Sequence, residues 1–241
     1  MNGSLASNEL LLRELRSVDV SSAELAVFPP VPYLHQCAAQ TAGSGVEFGA
    51  QDLSEFAYGA YTGEVSGAML SELGCRYVLV GHSERRTLHG ETNELVARKA
   101  AAAHAVGLIP VICVGETLAE RESGRTEAVI GAQADAIIAI AGMEVLKCAV
   151  LAYEPIWAIG TGRTASPEQA QEVHAFVRSL IAAVDASRAS ALQILYGGSV
   201  KGANAATLFA MPDVDGGLVG GASLVVKEFL EIHRAAALAA R

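Results

Sequence analysis

The chain has 241 residues, 51% of them apolar and 18% charged, with a formal net charge of −9. That balance supplies a large core and excludes intrinsic disorder, and its acidity excludes a nucleic-acid surface, whose footprint is basic. There is no apolar run of about 18 residues to span a membrane, and the start, MNGSLASNELLLREL, lacks the basic and apolar regions of a signal peptide. Cys37, Cys75, Cys113 and Cys148 lie far apart with no C-x-x-C pair, as expected of reduced thiols in a cytoplasm rather than of a disulfide framework or a zinc site.

In chain order the pattern opens with a helix, roughly Leu5–Ser17. Strands are expected near Glu24–Phe28, Val46–Gln51, Tyr77–Val80, Ile109–Val114, Cys148–Tyr153, Gln193–Tyr196 and Gly217–Val219. Runs such as YVLV, IPVICV and CAVLAY are apolar throughout, as strands buried on both faces of a parallel sheet must be. Between the later strands lie helical stretches: Glu94–His104, Glu127–Ile140, Glu168–Val184, Ala203–Phe209 and Lys227–Ala239. Ser166, Pro167 and Gln169 specify one helix start, as N-cap, first-turn proline and capping-box partner.

Alternating strands and helices mean an α/β fold, either an open doubly wound sheet or a closed barrel. The repeats are similar in length and no G-x-G-x-x-G follows the first strand, which favours a barrel spanning 1–241 as one domain. The strand count is seven rather than eight, and a helix precedes the first of them. A strand is therefore expected in front of Met1, since a seven-stranded remnant leaves two edges open.

In such barrels chemistry sits where strands end. In YVLVGHSERR, His82 lies just past a buried strand and enters a helical segment. The helix dipole disfavours imidazolium there, and a neutral ring can polarise a carbonyl. Taken alone, a histidine in a turn is more often an ordinary surface residue. In CAVLAYEPIWAIGTG, Glu154 ends an apolar strand, stiffened by Pro155, and is placed to act as a general base. The residues after it, through Thr161-Gly162-Arg163, have stiff ends and a small apolar tip, as a closing lid does. The bland alternative is a solvated glutamate before an irregular loop. ILYGGSV and DGGLVGGASL put paired glycines after late strands and before helices, where backbone N–H groups can cradle a phosphate, with Ser199 adding a hydroxyl. A single Gly-Gly is usually only a turn; two in consecutive late loops point to an anion site. A base, an electrophile, a phosphate cradle and a lid, without metal ligands or a nucleotide fingerprint, suit cofactor-free proton transfer next to a carbonyl on a small phosphorylated substrate.

AYEPIWAIGTG, GHSERR, YGGS and VGGASL, in this order and spacing, resemble the hallmarks of the triosephosphate isomerase family over essentially the whole chain. The resemblance implies a (β/α)8 TIM barrel, no cofactor, and interconversion of dihydroxyacetone phosphate and glyceraldehyde 3-phosphate. That mechanism is the family's own, carried over rather than deduced. It makes Glu154 the base and His82 the group that polarises the carbonyl. Gly160, Ser199, Gly220 and Gly221 hold the phosphate, and Glu84 and Arg85 are buried polar support behind His82. EFAYGAYTGEVS resembles the family's interface loop, in which Thr62 reaches the partner's site. A homodimer is expected, and the loop by itself is too apolar to face water.

The chain departs from the family pattern at its start. Family members place a strand ending in Asn-x-Lys before a Met-Asn-Gly like Met1-Asn2-Gly3. Of Lys99, Lys147, Lys201 and Lys227, none is expected to replace that lysine. The alternative function is therefore a catalytically impaired, phosphate-binding relic; a different phosphosugar enzyme on the same barrel is a third reading, which the intact Glu154 lid sequence disfavours.

Overall fold

A computed structural model describes residues 1–160 and 164–240. Helix α1 (Leu5–Leu15) comes first, followed by β1 (Ala26–Val27), α2 (Leu34–Thr41), β2 (Glu47–Ala50) and α3 (Gly67–Glu72). Next are β3 (Tyr77–Val80), α4 (Ser83–His89), α5 (Asn93–Ala105), β4 (Ile109–Val114), α6 (Leu118–Glu122), α7 (Thr126–Ala136) and α8 (Met143–Cys148). The last part holds β5 (Val150–Tyr153), α9 (Pro167–Ala182), α10 (Ala186–Ala191), β6 (Gln193–Tyr196), α11 (Gly202–Phe209), β7 (Gly216–Gly217) and α12 (Val226–Ala239).

The seven strands form one parallel sheet whose spatial order is the chain order. Residues along each strand alternate between two cores, as the pleat requires. Val78, Val80, Ile112, Val114, Leu151, Tyr153, Ile194 and Tyr196 pack against helices α5, α7 and α9. Tyr77, Leu79, Val111, Cys113, Val150 and Ala152 form a second cluster that also gathers Ala26, Phe28, Leu195 and Leu218. Side chains from strands at opposite ends of the sheet meet there, so the sheet is curled with this face inside.

Among the described residues β1 pairs only with β2 and β7 only with β6, which leaves two edges. Leu15 of α1 and Phe229 of α12 meet Leu25 and Val46 beside them. A cavity of about 1490 Å³ runs between the edges and is lined by Leu25, Val27, Gly217 and Val219 as well as by His82 and Glu154. Among the described residues no helix is long and apolar enough to cross a membrane.

The leading helix and all seven strands stand where the sequence places them, with shifted ends. The fifth strand starts at Val150, because Cys148 closes α8. The helix expected over Glu127–Ile140 stops at Ala136, passes into a π-helical turn (Ile137–Ala141) and is ended by Gly142 at φ +82°. The α9 start is the capping box expected: Ser166 Oγ accepts the Gln169 N–H at 3.2 Å and Gln169 Oε1 accepts the Ser166 N–H at 2.9 Å. Its buried stripe, Ala170, Val173, His174, Val177 and Ile181, follows the helical repeat.

Arg178 of α9 fastens the β6–β7 edge. Its Nη1 donates to the carbonyls of Ala189 (2.7 Å) and Leu192 (2.8 Å), while Nε and Nη2 reach Asp213 (2.5 Å) and Asp215 (2.8 Å). Asp215 in turn accepts the N–H of Ile194, the second residue of β6. Arg178→Met leaves two carboxylates and three carbonyls, those of Ala189, Leu192 and Asp213, without this donor. We expect a loss of about 3 kcal/mol, read as a lower urea midpoint at unchanged m-value; a midpoint equal to the parent's would show that water replaces the guanidinium.

Candidate active site

Glu154 directly follows β5, and its side chain lies at the mouth of the curled sheet with the residue 2% exposed. One carboxylate oxygen, Oε2, accepts the backbone N–H of Ser83 at 2.8 Å. The other, Oε1, lies 2.9 Å from Nε2 of His82. His82 is the N-cap of α4, and its Nδ1 accepts the N–H of Glu84 at 3.3 Å. With Nδ1 accepting, a neutral ring must carry its proton on Nε2.

Burial pulls the His82 pKa down, but the hydrogen bond and charge of Glu154, with the charge of Glu84, outweigh it and hold it above the ordinary value. The ring was expected to be kept neutral by the helix dipole. While Glu154 lies against it the shift is upward, because a full charge at 2.9 Å outweighs the fractional charge of a helix end. The backbone N–H on Nδ1 opposes the second proton.

The neighbouring strand ends close on Glu154 through glycines. A Cβ on Gly115 would fall 1.8 Å from the Glu154 carbonyl oxygen, and one on Gly197 would fall 2.9 Å from Glu154 Cγ. Gln133 clamps Gly115 from behind, accepting its N–H at 2.8 Å and donating to its carbonyl at 3.0 Å. The thiol of Cys113 is fully buried; burial, with the charge of Glu154 beside it, pushes its pKa well above the ordinary thiol value.

The segment after Glu154 is tethered at its start. Pro155 leads into a 3-10 turn (Ile156–Ala158), and the indole of Trp157 donates to Glu116 Oε1 at 2.9 Å. The same oxygen accepts Tyr153 Oη (3.1 Å) and Arg121 Nη1 (3.2 Å), and the Arg121 guanidinium covers the indole ring at 4.9 Å. Gly160 takes φ +68°. Thr161-Gly162-Arg163 of the expected lid lie outside the described residues.

Gly160, Ser199, Gly220 and Gly221 line the same cavity as His82 and Glu154. A Cβ on Gly160, Gly220 or Gly221 would meet no atom within 4 Å, so packing inside the chain does not require these glycines. Ser199 sits three residues before α11, and Gly220 precedes a 3-10 turn (Gly221–Leu224). Lys201 is the one lysine or arginine among the described residues lining the cavity.

The remaining expected residues do not take the places expected of them, although Glu84 also lines the cavity. Glu84 is not buried: its side chain is 73% exposed, with the carboxylate 4.0 Å from His82 Nδ1. Arg85 turns away from the imidazole to Asp52 (2.9 Å) and Glu91 (2.6 Å). Lys99, buried, bridges the same two carboxylates at 2.7 and 2.6 Å. Thr62 is exposed on the 55–65 loop, outside the cavity.

With this geometry in view, the model of the triosephosphate isomerase family matches residues 1–236. The chain belongs to that family. The triosephosphate isomerase of Bordetella pertussis is 61% identical to it over 236 residues, which are 98% of this chain and 94% of the relative. Those of Thiobacillus denitrificans and Nitrosococcus oceani are 59% and 58% identical, each over 98% of this chain and 95% of the relative. Within the family frame, the sequence reading missed Glu116, Gln133 and Cys113 as neighbours of the lid and of Glu154.

The Arg85–Asp52–Lys99–Glu91 cluster has a pH signature. Burial pushes Glu91 up, but the hydrogen bonds and charges of Lys99 and Arg85 outweigh it and hold it below the ordinary carboxylate value. Asp52 goes the other way, since burial dominates over the same cations. A depressed carboxylate contributes stability above its unfolded pKa and loses it as pH falls through the folded one. The stability gap between the parent and Glu91→Gln should therefore narrow as pH drops from about 6 to about 3 in urea titrations. A gap independent of pH would mean Glu91 acts by packing alone.

Proposed function

We propose that the chain is a triosephosphate isomerase, an aldose–ketose isomerase that interconverts dihydroxyacetone phosphate and glyceraldehyde 3-phosphate without a cofactor, in glycolysis and gluconeogenesis. The observation that carries this reading is the buried Glu154 carboxylate held against Nε2 of His82 at the wall of a cavity. Glu154 removes a proton from the carbon beside the carbonyl, and the electron pair moves onto the carbonyl oxygen to give an enediolate. His82, with its proton on Nε2, donates to that oxygen. Glu154, now the acid, returns the proton to the neighbouring carbon, while the hydroxyl proton on the first carbon's oxygen passes to the imidazole in place of the one His82 gave to the other oxygen, so that a new carbonyl forms. The two groups are tied to each other, so moving Glu154 toward substrate frees the His82 N–H in the same step.

The N–H groups around Gly160, Gly220 and Gly221, with Ser199, are the phosphate cradle in this reading. The Glu154–Gly160 segment and the residues beyond it close over the substrate and exclude water, in which an enediolate phosphate would lose its phosphate. The seven strands are read as seven of the eight in a TIM barrel, one domain over 1–241, with the eighth position between β1 and β7. Phe56, Tyr58 and Tyr61, exposed on the Thr62 loop with the Phe56 and Tyr61 rings stacked at 4.1 Å, suit a homodimer contact. Four free thiols suit a cytoplasm.

One observation favours a second reading. Among the described residues Lys201 is the one lysine or arginine lining a cavity meant for a dianion, and a site without a charge partner at the reacting end would bind phosphate without turnover. A coupled isomerase assay on the 241-residue chain, beside a version extended by a strand ending in Asn-x-Lys, separates them. Turnover by either chain supports the isomerase; phosphate binding with no turnover in both supports the relic. In the active form, Glu154→Gln should lose about 10³-fold or more in kcat with little change in KM, and retained activity would remove Glu154 as the base. Gly197→Ala presses a methyl against Glu154 Cγ and should cost roughly 10²-fold in kcat; a kcat near the parent's would show that the carboxylate tolerates the shift.

A further inference from the structure

At the opposite end of β5 from Glu154, three side chains from three helices converge. Cys148 closes α8, His104 lies in the last turn of α5, and Arg188 is on α10. Nδ1 of His104 is 3.1 Å from Cys148 Sγ. Arg188 donates through Nη2 to the carbonyl of Ala149, next to the cysteine, at 3.3 Å, while its Nε is buried with no partner. We propose that Cys148 is a thiol–disulfide exchange site, with His104 as its base and Arg188 as the docking cation for a low-molecular-weight disulfide that carries carboxylates.

The other three thiols differ sharply. Cys37, Cys75 and Cys113 are buried, and burial pushes the first two to about 12 and about 11 and the third well above the ordinary thiol value. Such thiols are inert. Cys148 is half-buried and reaches solvent beside an exposed imidazole. Burial raises its pKa as well, against the pull of its own backbone and of Arg188, so near neutrality the sulfur keeps its proton. A base in contact with the sulfur is what such a thiol needs to react.

The exchange balances without a further oxidant. The S–H, which donates to the Val145 carbonyl at 3.3 Å, turns to His104 Nδ1, which takes the proton, and Cys148 Sγ attacks one sulfur of the disulfide. The S–S bond breaks and a mixed disulfide forms on Cys148. The departing thiolate takes the proton back from the imidazolium and leaves as a thiol. The guanidinium charge of Arg188, which is only partly buried, attracts a carboxylate of the incoming molecule.

The test treats the full chain with oxidised glutathione between about pH 6 and pH 9, follows adduct formation by peptide mass mapping, and repeats it with a neutral disulfide, 2-hydroxyethyl disulfide. The expected result is one adduct, on Cys148. His104→Gln should slow it about tenfold near pH 7 and leave a rate that climbs with pH as a free thiol's does. Arg188→Gln should slow the reaction with oxidised glutathione and spare that with the neutral disulfide. Circular dichroism establishes that both variants are folded. An adduct on another cysteine, or an unchanged rate and pH profile in folded His104→Gln, overturns the proposal.

Discussion

The position of Glu154 rests on strand register. In the sheet Val80 pairs with Ile112, and Val114 pairs with Tyr153, so β4 runs two residues past the end of β3. Two residues beyond Val80 is His82, which therefore stands level with Val114 and Tyr153. The imidazole and the Glu154 carboxylate then meet across the end of β4 at 2.9 Å. A one-residue slip would turn alternate side chains to the other face and separate them. It would also mix the two cores, because the same alternation sorts Val78 and Val80 to the helices and Tyr77 and Leu79 to the inside. Packing on both faces thus enforces the register that the site needs.

Burying a carboxylate costs free energy unless every lone pair that faces the protein finds a donor. Glu154 obtains its donors from the turn that starts α4: the Ser83 N–H and the His82 ring. Glu116 gathers a phenol, an indole and a guanidinium on one oxygen, Oε1, while its Oε2 stays buried without a partner. The two buried glutamates are linked through the chain, since the backbone N–H of Ile156 donates to the Glu116 carbonyl two residues after Glu154. The start of the segment after Glu154 is therefore anchored in the same polar layer as the Glu154 carboxylate.

The strands and long helices were legible because apolar runs and capping residues are local signals. YVLV, IPVICV and the Ser166–Gln169 box needed no tertiary information. His82, Glu154 and the glycine pairs stood out by type and place at strand ends. Glu116 and Gln133 did not, since their partners are 37 and 18 residues away and only the curled sheet brings them together. The exposure of Glu84 was misjudged for a similar reason: which side of a single helical turn faces solvent depends on what packs beneath it. Helices α2, α3, α6, α8 and α10 are five to eight residues long, too short for periodicity to register, and tertiary packing holds them.

The agreement between the order of strands in space and their order along the chain bears on synthesis. Each strand docks only against the one made just before it, so the sheet can lengthen one strand at a time as the polypeptide leaves the ribosome. Among the described residues no strand pairs with one that is not its neighbour in the chain. The growing edge is always the newest strand, and the helix that follows it covers the outer face within the next few dozen residues. Nascent apolar surface is thereby kept small, which favours productive folding over capture by other chains.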